Sequence, residues 1–152
     1  MSEGWLIALA RSGDLAAARR LIKAYQRELN VDLCFQNFAD EMRRFPAGYE
    51  LVLIAREGEV GLGCVCLKRL EAAVCEMKRL FVATNARGSG IGRALCLGVI
   101  SEAAERGYTQ IKLDTLRRLT PALALYRSLG FLETAPYTPN PEPDVVYLSK
   151  PL

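Results

Sequence analysis

The stretch from Met77 to Asp114 constrains the fold more than any other, because an apolar strand, a glycine-rich turn, a long helix and a second strand follow one another directly. The first strand reads Met77-Lys78-Arg79-Leu80-Phe81-Val82 and the turn Arg87-Gly88-Ser89-Gly90-Ile91-Gly92. From about Gly90 to Arg106, Ile91, Leu95, Val99 and Ala103 share one helical face, and Gly107 closes the helix. Thr109 to Asp114 is the returning strand. A strand–helix–strand unit joins parallel neighbours through a right-handed crossover, so any fold for this chain needs a parallel pair with a helix laid on the sheet. The three alternate glycines let the backbone turn tightly and approach a ligand without Cβ interference. The helix that follows directs its unpaired N–H groups and the positive end of its dipole into the turn. Such a loop suits an anion, a phosphate or a pyrophosphate.

The flanking segments complete one α/β domain of α+β type, residues 1–152, without repeat or linker. Trp5 to Ala10 reads as a strand. Ser12-Gly13-Asp14 offers an N-cap to a helix carrying Leu15, Ala18, Leu21, Ile22, Tyr25 and Leu29 at helical spacing. A second helical pattern runs from about Phe35 to Phe45 and stops at Pro46-Ala47-Gly48. Leu51 to Ala55 is a buried strand, and a hairpin turn at Glu57-Gly58 leads into Val60 to Leu70. Ala73 to Val82 completes an antiparallel meander. Beyond the crossover, Leu119 to Leu129 is a helix with Pro121 in its first turn and Gly130 as its C-cap. Phe131 to Glu133, a proline-rich loop over Pro136 to Pro143, and a strand at Val145 to Leu148 end the domain.

Composition narrows the chemistry. A chain of 152 residues with 51% hydrophobic and 24% charged residues is an ordinary globular domain. A net charge of +3 carries no argument for nucleic acid, and is compatible with an anionic cofactor. Histidine is absent, which removes Ser-His-Asp and Cys-His mechanisms and the common metal sites. The five cysteines (Cys34, Cys64, Cys66, Cys75, Cys96) form no Cys-x-x-Cys pair and lie in apolar surroundings, so they read as buried free thiols in a reducing cytosol. No metal is expected. The N-terminus resembles no signal peptide, and no run approaches the ~20 apolar residues of a membrane span. A cytoplasmic protein, monomer or homodimer, without membrane or nucleic-acid partners is expected. Acid–base work falls to carboxylates, tyrosine, lysine, cysteine or water.

The loop itself leaves several anions open. A P-loop lacks its Lys-Ser/Thr pair, since Gly92 is followed by Arg93-Ala94, and a dinucleotide fingerprint fails at Arg93, where its third glycine belongs. Arg87-Gly88-Ser89-Gly90-Ile91-Gly92 resembles the Arg/Gln-x-x-Gly-x-Gly/Ala signature of the GNAT superfamily of N-acetyltransferases. The likeness extends back over Glu76-Met77-Lys78-Arg79-Leu80-Phe81-Val82. It continues in Ala124-Leu125-Tyr126-Arg127-Ser128-Leu129-Gly130-Phe131, and the order of elements matches from Trp5 to Leu148.

The resemblance implies a three-layer fold, a mixed sheet of about six or seven strands flanked by about four helices and splayed at the cofactor cleft. It implies acetyl-CoA as cosubstrate, its pyrophosphate on the backbone N–H groups of Arg87, Gly88, Ser89, Gly90, Ile91 and Gly92 with Arg93 near the helix start. The backbone of Leu80, Phe81 and Val82 would bond the pantetheine arm as an added strand. Tyr126 matches the family tyrosine that protonates the departing thiolate, and Glu76 the glutamate that serves some members as general base. An asparagine seven residues before the tyrosine contacts pantetheine in many members. Here it is Leu119, with Thr120 and Arg117 nearby as substitutes.

The acceptor, an amine of a small molecule or peptide, would meet the N-terminal helices and the proline-rich loop. The candidate contacts are Tyr25, Phe35, Phe38, Tyr137 and Asn140. The expected activity is direct attack of a primary amine on acetyl-CoA in a ternary complex. The alternatives are a non-catalytic acyl-CoA sensor and a nucleotide-phosphate binder.

Overall fold

In the computed structural model, residues 4–29 and 37–152 are described. The elements are β1 (Leu6–Leu9), α1 (Leu15–Leu29), α2 (Phe38–Arg44), β2 (Leu51–Glu57), β3 (Val60–Glu71), β4 (Val74–Val82), α3 (Ile91–Glu105), β5 (Gln110–Leu116), α4 (Thr120–Ser128), β6 (Leu132–Glu133) and β7 (Val145–Pro151). Short 3-10 turns lie at Ser12–Asp14 and Thr84–Ala86. Among the described residues, seven strands form one sheet in the order β1-β2-β3-β4-β5-β7-β6, with four α-helices around it. Every neighbouring pair is antiparallel except β4 and β5, the pair that the crossover through α3 demands.

The expected elements are present with small shifts. The first hairpin turn falls at Gly58-Glu59, one residue later than expected, because the left-handed Gly58 (φ 60°) opens it. Strand β7 runs to Pro151, past the expected end at Leu148, since it pairs with β5 along its whole length from Val145↔Leu116 to Pro151↔Gln110. Its polar end gives no apolar signal in sequence. The expected start of the second helix at Phe35 lies outside the described residues.

Both sheet faces are covered. Leu51, Leu53, Ala55, Val65, Leu67, Cys75 and Met77 pack with α3 and α4, and the alternate residues Val52, Ile54, Cys64 and Cys66 pack with α1 and α2. A strand buried on both faces reads as a continuous apolar run, as Leu51 to Ala55 does. Helix α3 sits directly on β3 because position 63 has no side chain. A Cβ on Gly63 would lie 2.9 Å from the Phe81 carbonyl oxygen and 3.1 Å from Leu95.

The register slips at three places in the meander, and one of them puts the extra residue on β4. Cys64 pairs with Phe81 while Cys66 pairs with Lys78, so an extra residue bulges on β4, and Arg79 there adopts φ 60°. Left-handed backbone costs a non-glycine residue about 1–2 kcal/mol. The Arg79 side chain is held firmly in return: it donates to Glu41 through Nη2 (2.7 Å) and Nε (3.1 Å) and lies 5.5 Å over the Phe38 ring. The Tyr49 hydroxyl donates to the same carboxylate. Burial works against the charge of Glu41, yet Arg79 and Tyr49 hold its carboxyl below the usual range. Past the bulge the facing of β4 is reversed, so that Phe81 joins the α1 layer while Leu80 and Val82 pack toward α3.

Candidate active site

The parallel pair that the crossover creates is short. Strands β4 and β5 are in register only at Val74↔Gln110, Cys75↔Ile111 and Glu76↔Lys112. Beyond Glu76 they part: β4 continues against β3 and β5 against β7. A cleft of about 370 Å³ fills the opening, and Leu80, Phe81 and Val82 line it together with Thr115 of β5.

The glycine loop forms one side of that cleft through Arg87, Gly88, Gly90, Ile91 and Gly92. Gly88 and Gly90 are left-handed (φ 82° and 88°), and a Cβ built on either meets nothing within 4 Å. Gly90 is the N-cap of α3, and no side chain caps that helix. The first-turn N–H groups of α3 therefore keep their donors for a ligand, with the helix dipole behind them. The shape and the donors fit a pyrophosphate. Ser89 turns its hydroxyl to the Ala86 carbonyl, so only its backbone serves the loop. Arg93 donates to Ser128 Oγ (3.2 Å) and does not line the cleft. The Arg87 guanidinium bridges the loop to α1: it donates to the Val82 carbonyl (3.0 Å) and pairs with Glu28 (2.6 Å).

Helix α4 and its N-cap add Leu119, Pro121, Ala122, Leu125 and Tyr126 to the lining. Tyr126 is buried, edge-on to Phe131 with ring centres 6.0 Å apart. Burial pushes its phenol well above the ordinary value, so it keeps its proton at neutral pH. Tyr25 of α1 also lines the cleft, tilted against Phe81 with ring centres 5.6 Å apart, and burial raises its phenol to about 12. Of the residues near the missing asparagine, Leu119 lines the cleft, Arg117 pairs with Glu133 (3.2 Å), and Thr120 is exposed. Thr115 of β5 brings an aliphatic hydroxyl to the cleft, a residue not singled out from sequence.

Glu76 occupies the vertex of the splay, where the last β4–β5 pair lies, and is 3% exposed. Tyr137 donates its hydroxyl to Glu76 Oε2 at 2.6 Å. Asn140 donates to Asp114 Oδ2 at 3.0 Å, and Tyr147 to the Thr138 carbonyl at 2.6 Å. Lys112 lies 5.3 Å from the Tyr137 ring centre. Burial lowers the neighbouring Lys78 ammonium, with Glu76 and Asp114 opposing that shift. Thus the proline-rich loop seats Tyr137 and Asn140 on two carboxylates of the sheet. Asp114 was legible only through the period of β5, which sets it on one face with Lys112.

The other sequence candidates lie elsewhere or outside the described residues. Phe38 sits under Arg79 and faces a groove between α1 and α2 rather than the cleft. Phe35 and Cys34 lie outside the described residues. Cys64, Cys66, Cys75 and Cys96 are buried free thiols. Burial raises Cys75 and Cys96 to about 12, which leaves neither as a nucleophile. Among the described residues, no three His, Cys, Asp or Glu side chains cluster to hold a metal ion, and no helix is long and apolar enough to cross a membrane.

An opening of this shape suits a long phosphorylated thioester, with a strand edge along it and an uncapped helix start beside it. The class so defined is that of the acetyl-CoA-dependent acyltransferases. Residues 15–131 match the model of the acetyltransferase (GNAT) family, and this chain belongs to that family. It is 40% identical to an uncharacterized N-acetyltransferase of Schizosaccharomyces pombe over 141 residues, 89% of this chain and 86% of that one. Its fold is similar to that of an acetyltransferase from Streptococcus agalactiae (TM-score 0.82, 23% identity, 99% and 100% of the two chains). It is also similar to YncA of Salmonella typhimurium, solved with its cofactor acetyl-CoA (TM-score 0.72, 21% identity, 98% and 94%).

Proposed function

We propose that this protein acetylates a primary amine of a small molecule or peptide by direct attack on acetyl-CoA in a ternary complex, with Glu76 as base and Tyr126 as acid. The observation that carries this reading is the parting of β4 and β5 at Glu76, with the glycine loop and Tyr126 lining one cleft at the opening. The loop and the α3 start are the pyrophosphate seat, and the Leu80 to Val82 edge takes the pantetheine arm.

An alkylammonium is no nucleophile until it loses a proton, and Glu76 takes that proton directly or through water. The amine nitrogen then bonds to the thioester carbonyl carbon as the C–S bond breaks. Tyr126 protonates the sulfur, and its phenolate regains its proton from the one the acylated nitrogen sheds, through water, while Glu76 passes its own proton to solvent. The sum is an acetamide and free coenzyme A. With no histidine available, a phenol held protonated by burial is suited to this duty. The buried free cysteines support a reducing, cytoplasmic setting.

The test is thiol release from acetyl-CoA over a panel of amino acids, polyamines, aminoglycosides and peptide N-termini, with coenzyme A binding followed by calorimetry. Coenzyme A binding with turnover of an amine is the expected result. Tight coenzyme A binding without turnover of any amine would make the protein an acyl-CoA sensor. Binding of ATP or NAD in place of coenzyme A would sink the reading.

A further inference from the structure

Tyr137 enters the sequence reading as a contact for the acceptor, but its hydroxyl is committed inside the protein. It donates to Glu76 Oε2 at 2.6 Å, and both residues are withdrawn from the cofactor cleft lining. The phenol is braced on two sides. Tyr147 packs edge-on at 5.4 Å, with its own hydroxyl fixing the Thr138 carbonyl (2.6 Å), and the Lys112 ammonium lies 5.3 Å over the ring. The backbone carrying Tyr137 is held further along. Asn140 bonds Asp114 and accepts from the Glu142 N–H (3.0 Å), and Arg118 pairs with Asp144 (2.8 Å) and Glu142 (3.0 Å). A side chain anchored at this many points has little freedom to follow an incoming acceptor. It is built to fix what it touches.

We infer that Tyr137 is a positioning residue for Glu76: its O–H holds one carboxylate oxygen so that the other is presented at the vertex of the splay, toward the acceptor amine. This rests on Glu76 being the base. Burial and the Glu76 carboxylate raise the Tyr137 phenol far above its ordinary value, so it remains a donor throughout the working pH range. A carboxylate on a β-strand has two free side-chain torsions before its terminal group, and a hydrogen bond to one oxygen removes most of that freedom. Misplacement of a reacting group by about 1 Å is enough to slow a reaction on the order of 100-fold. The proline-rich loop thereby becomes part of the catalytic geometry, not only a wall for the acceptor.

The test compares Tyr137→Phe, Glu76→Gln, the double variant, and Asp144→Asn as a loop control, all in the full chain with the best amine found in the screen. Tyr137→Phe is expected to lower kcat about 10-fold or more while leaving KM for acetyl-CoA unchanged. The double variant should be no slower than Glu76→Gln, because the hydroxyl acts through the carboxylate. Asp144→Asn, which loosens the loop carrying Tyr137 without touching Glu76, should lower kcat less than Tyr137→Phe does.

A raised acceptor KM with intact kcat in Tyr137→Phe would overturn the inference and return Tyr137 to the role of acceptor contact. Additive losses in the double variant would overturn it as well, with Glu76 still standing as base. If Glu76→Gln turns over at the parent rate, the base assignment fails, and the positioning role fails with it. Should Tyr137→Phe not fold, a fluorotyrosine at position 137 keeps the ring and hydroxyl while making it a more acidic donor. A kcat indifferent to that change would also overturn the proposal.

Discussion

Two glycines of this chain allow the phosphate-seat assignment to be tested free of the usual confusion between damage and binding. Gly90 and Gly107 flank α3, both have φ 88°, and a Cβ on either meets nothing within 4 Å. Replacing either by alanine forces the same left-handed backbone on an L-residue, at about 1–2 kcal/mol. For a domain of this size that lowers Tm by about 2–8 °C, at about 2–4 °C per kcal/mol. The two sites differ in one respect: Gly90 lines the cleft and Gly107 does not. A methyl at Gly90 therefore enters the space of the pyrophosphate, and a loss of one good backbone contact weakens binding about 10-fold, or about 1.4 kcal/mol. At coenzyme A set to 100 times the parent Kd, ligand stabilises parent and Gly107→Ala by about 2.7 kcal/mol, but Gly90→Ala by only about 1.4 kcal/mol. Thermal melts with and without coenzyme A read both quantities at once. Equal falls in bare Tm, with the ligand-induced rise halved in Gly90→Ala alone, are expected. Equal ligand-induced rises in the two variants would falsify the assignment of the loop as the phosphate seat.

Tyr126→Phe should cut kcat on the order of 100-fold with coenzyme A affinity unchanged, since the ring and its packing on Phe131 are kept; steady-state kinetics and calorimetry together decide it. Glu41→Gln removes the carboxylate paired with the buried Arg79 guanidinium, 5% exposed, and should cost about 3–5 kcal/mol in chemical denaturation, far more than a surface pair. Glu28→Gln, by contrast, breaks an exposed pair with Arg87 and should change stability by less than about 1 kcal/mol, with the difference fading in high salt. The Tyr25 phenol is raised from 10.0 to about 12 by burial, so the folded state holds that proton more tightly than the unfolded chain. Stability from this group is full below pH 10 and falls as pH rises toward 12, by about 3 kcal/mol at most; Tyr25→Phe should flatten that part of the denaturation curve.

What was legible in the sequence was whatever depends on local chemistry. The period of Ile91, Leu95, Val99 and Ala103 gave α3 its buried face, the glycines gave the left-handed loop, and the continuous run Leu51 to Ala55 gave a strand covered on both sides. The contacts that complete the candidate site are long-range and leave no periodic trace. Tyr137 and Glu76 are 61 residues apart, Arg87 and Glu28 are 59 apart, and Arg79 and Glu41 are 38 apart. The bulge at Arg79 was also hidden, because Leu80-Phe81-Val82 reads as an even apolar strand whichever way its faces point. Only the pairing of Cys64 with Phe81 and of Cys66 with Lys78 shows that the facing reverses there.

That reversal and the splay together explain how one cleft draws on both layers. Before the bulge, Cys75 and Met77 face α3, which sets Glu76 on the α1 side of the sheet, whereas Tyr126 belongs to the core on the α3 side. In a closed sheet, strands about 4.8 Å apart would stand between an acid and a base so placed. Because β4 and β5 separate beyond Glu76, that barrier ends beside Glu76. Tyr25 from α1 and Tyr126 from α4 already line one continuous space through the gap. The sheet has to part for a group held on one face and a group held on the other to address the same thioester. On the proposed mechanism, a variant that restored β4–β5 pairing beyond Glu76 would keep every side chain named above and still lose turnover in the thiol-release assay.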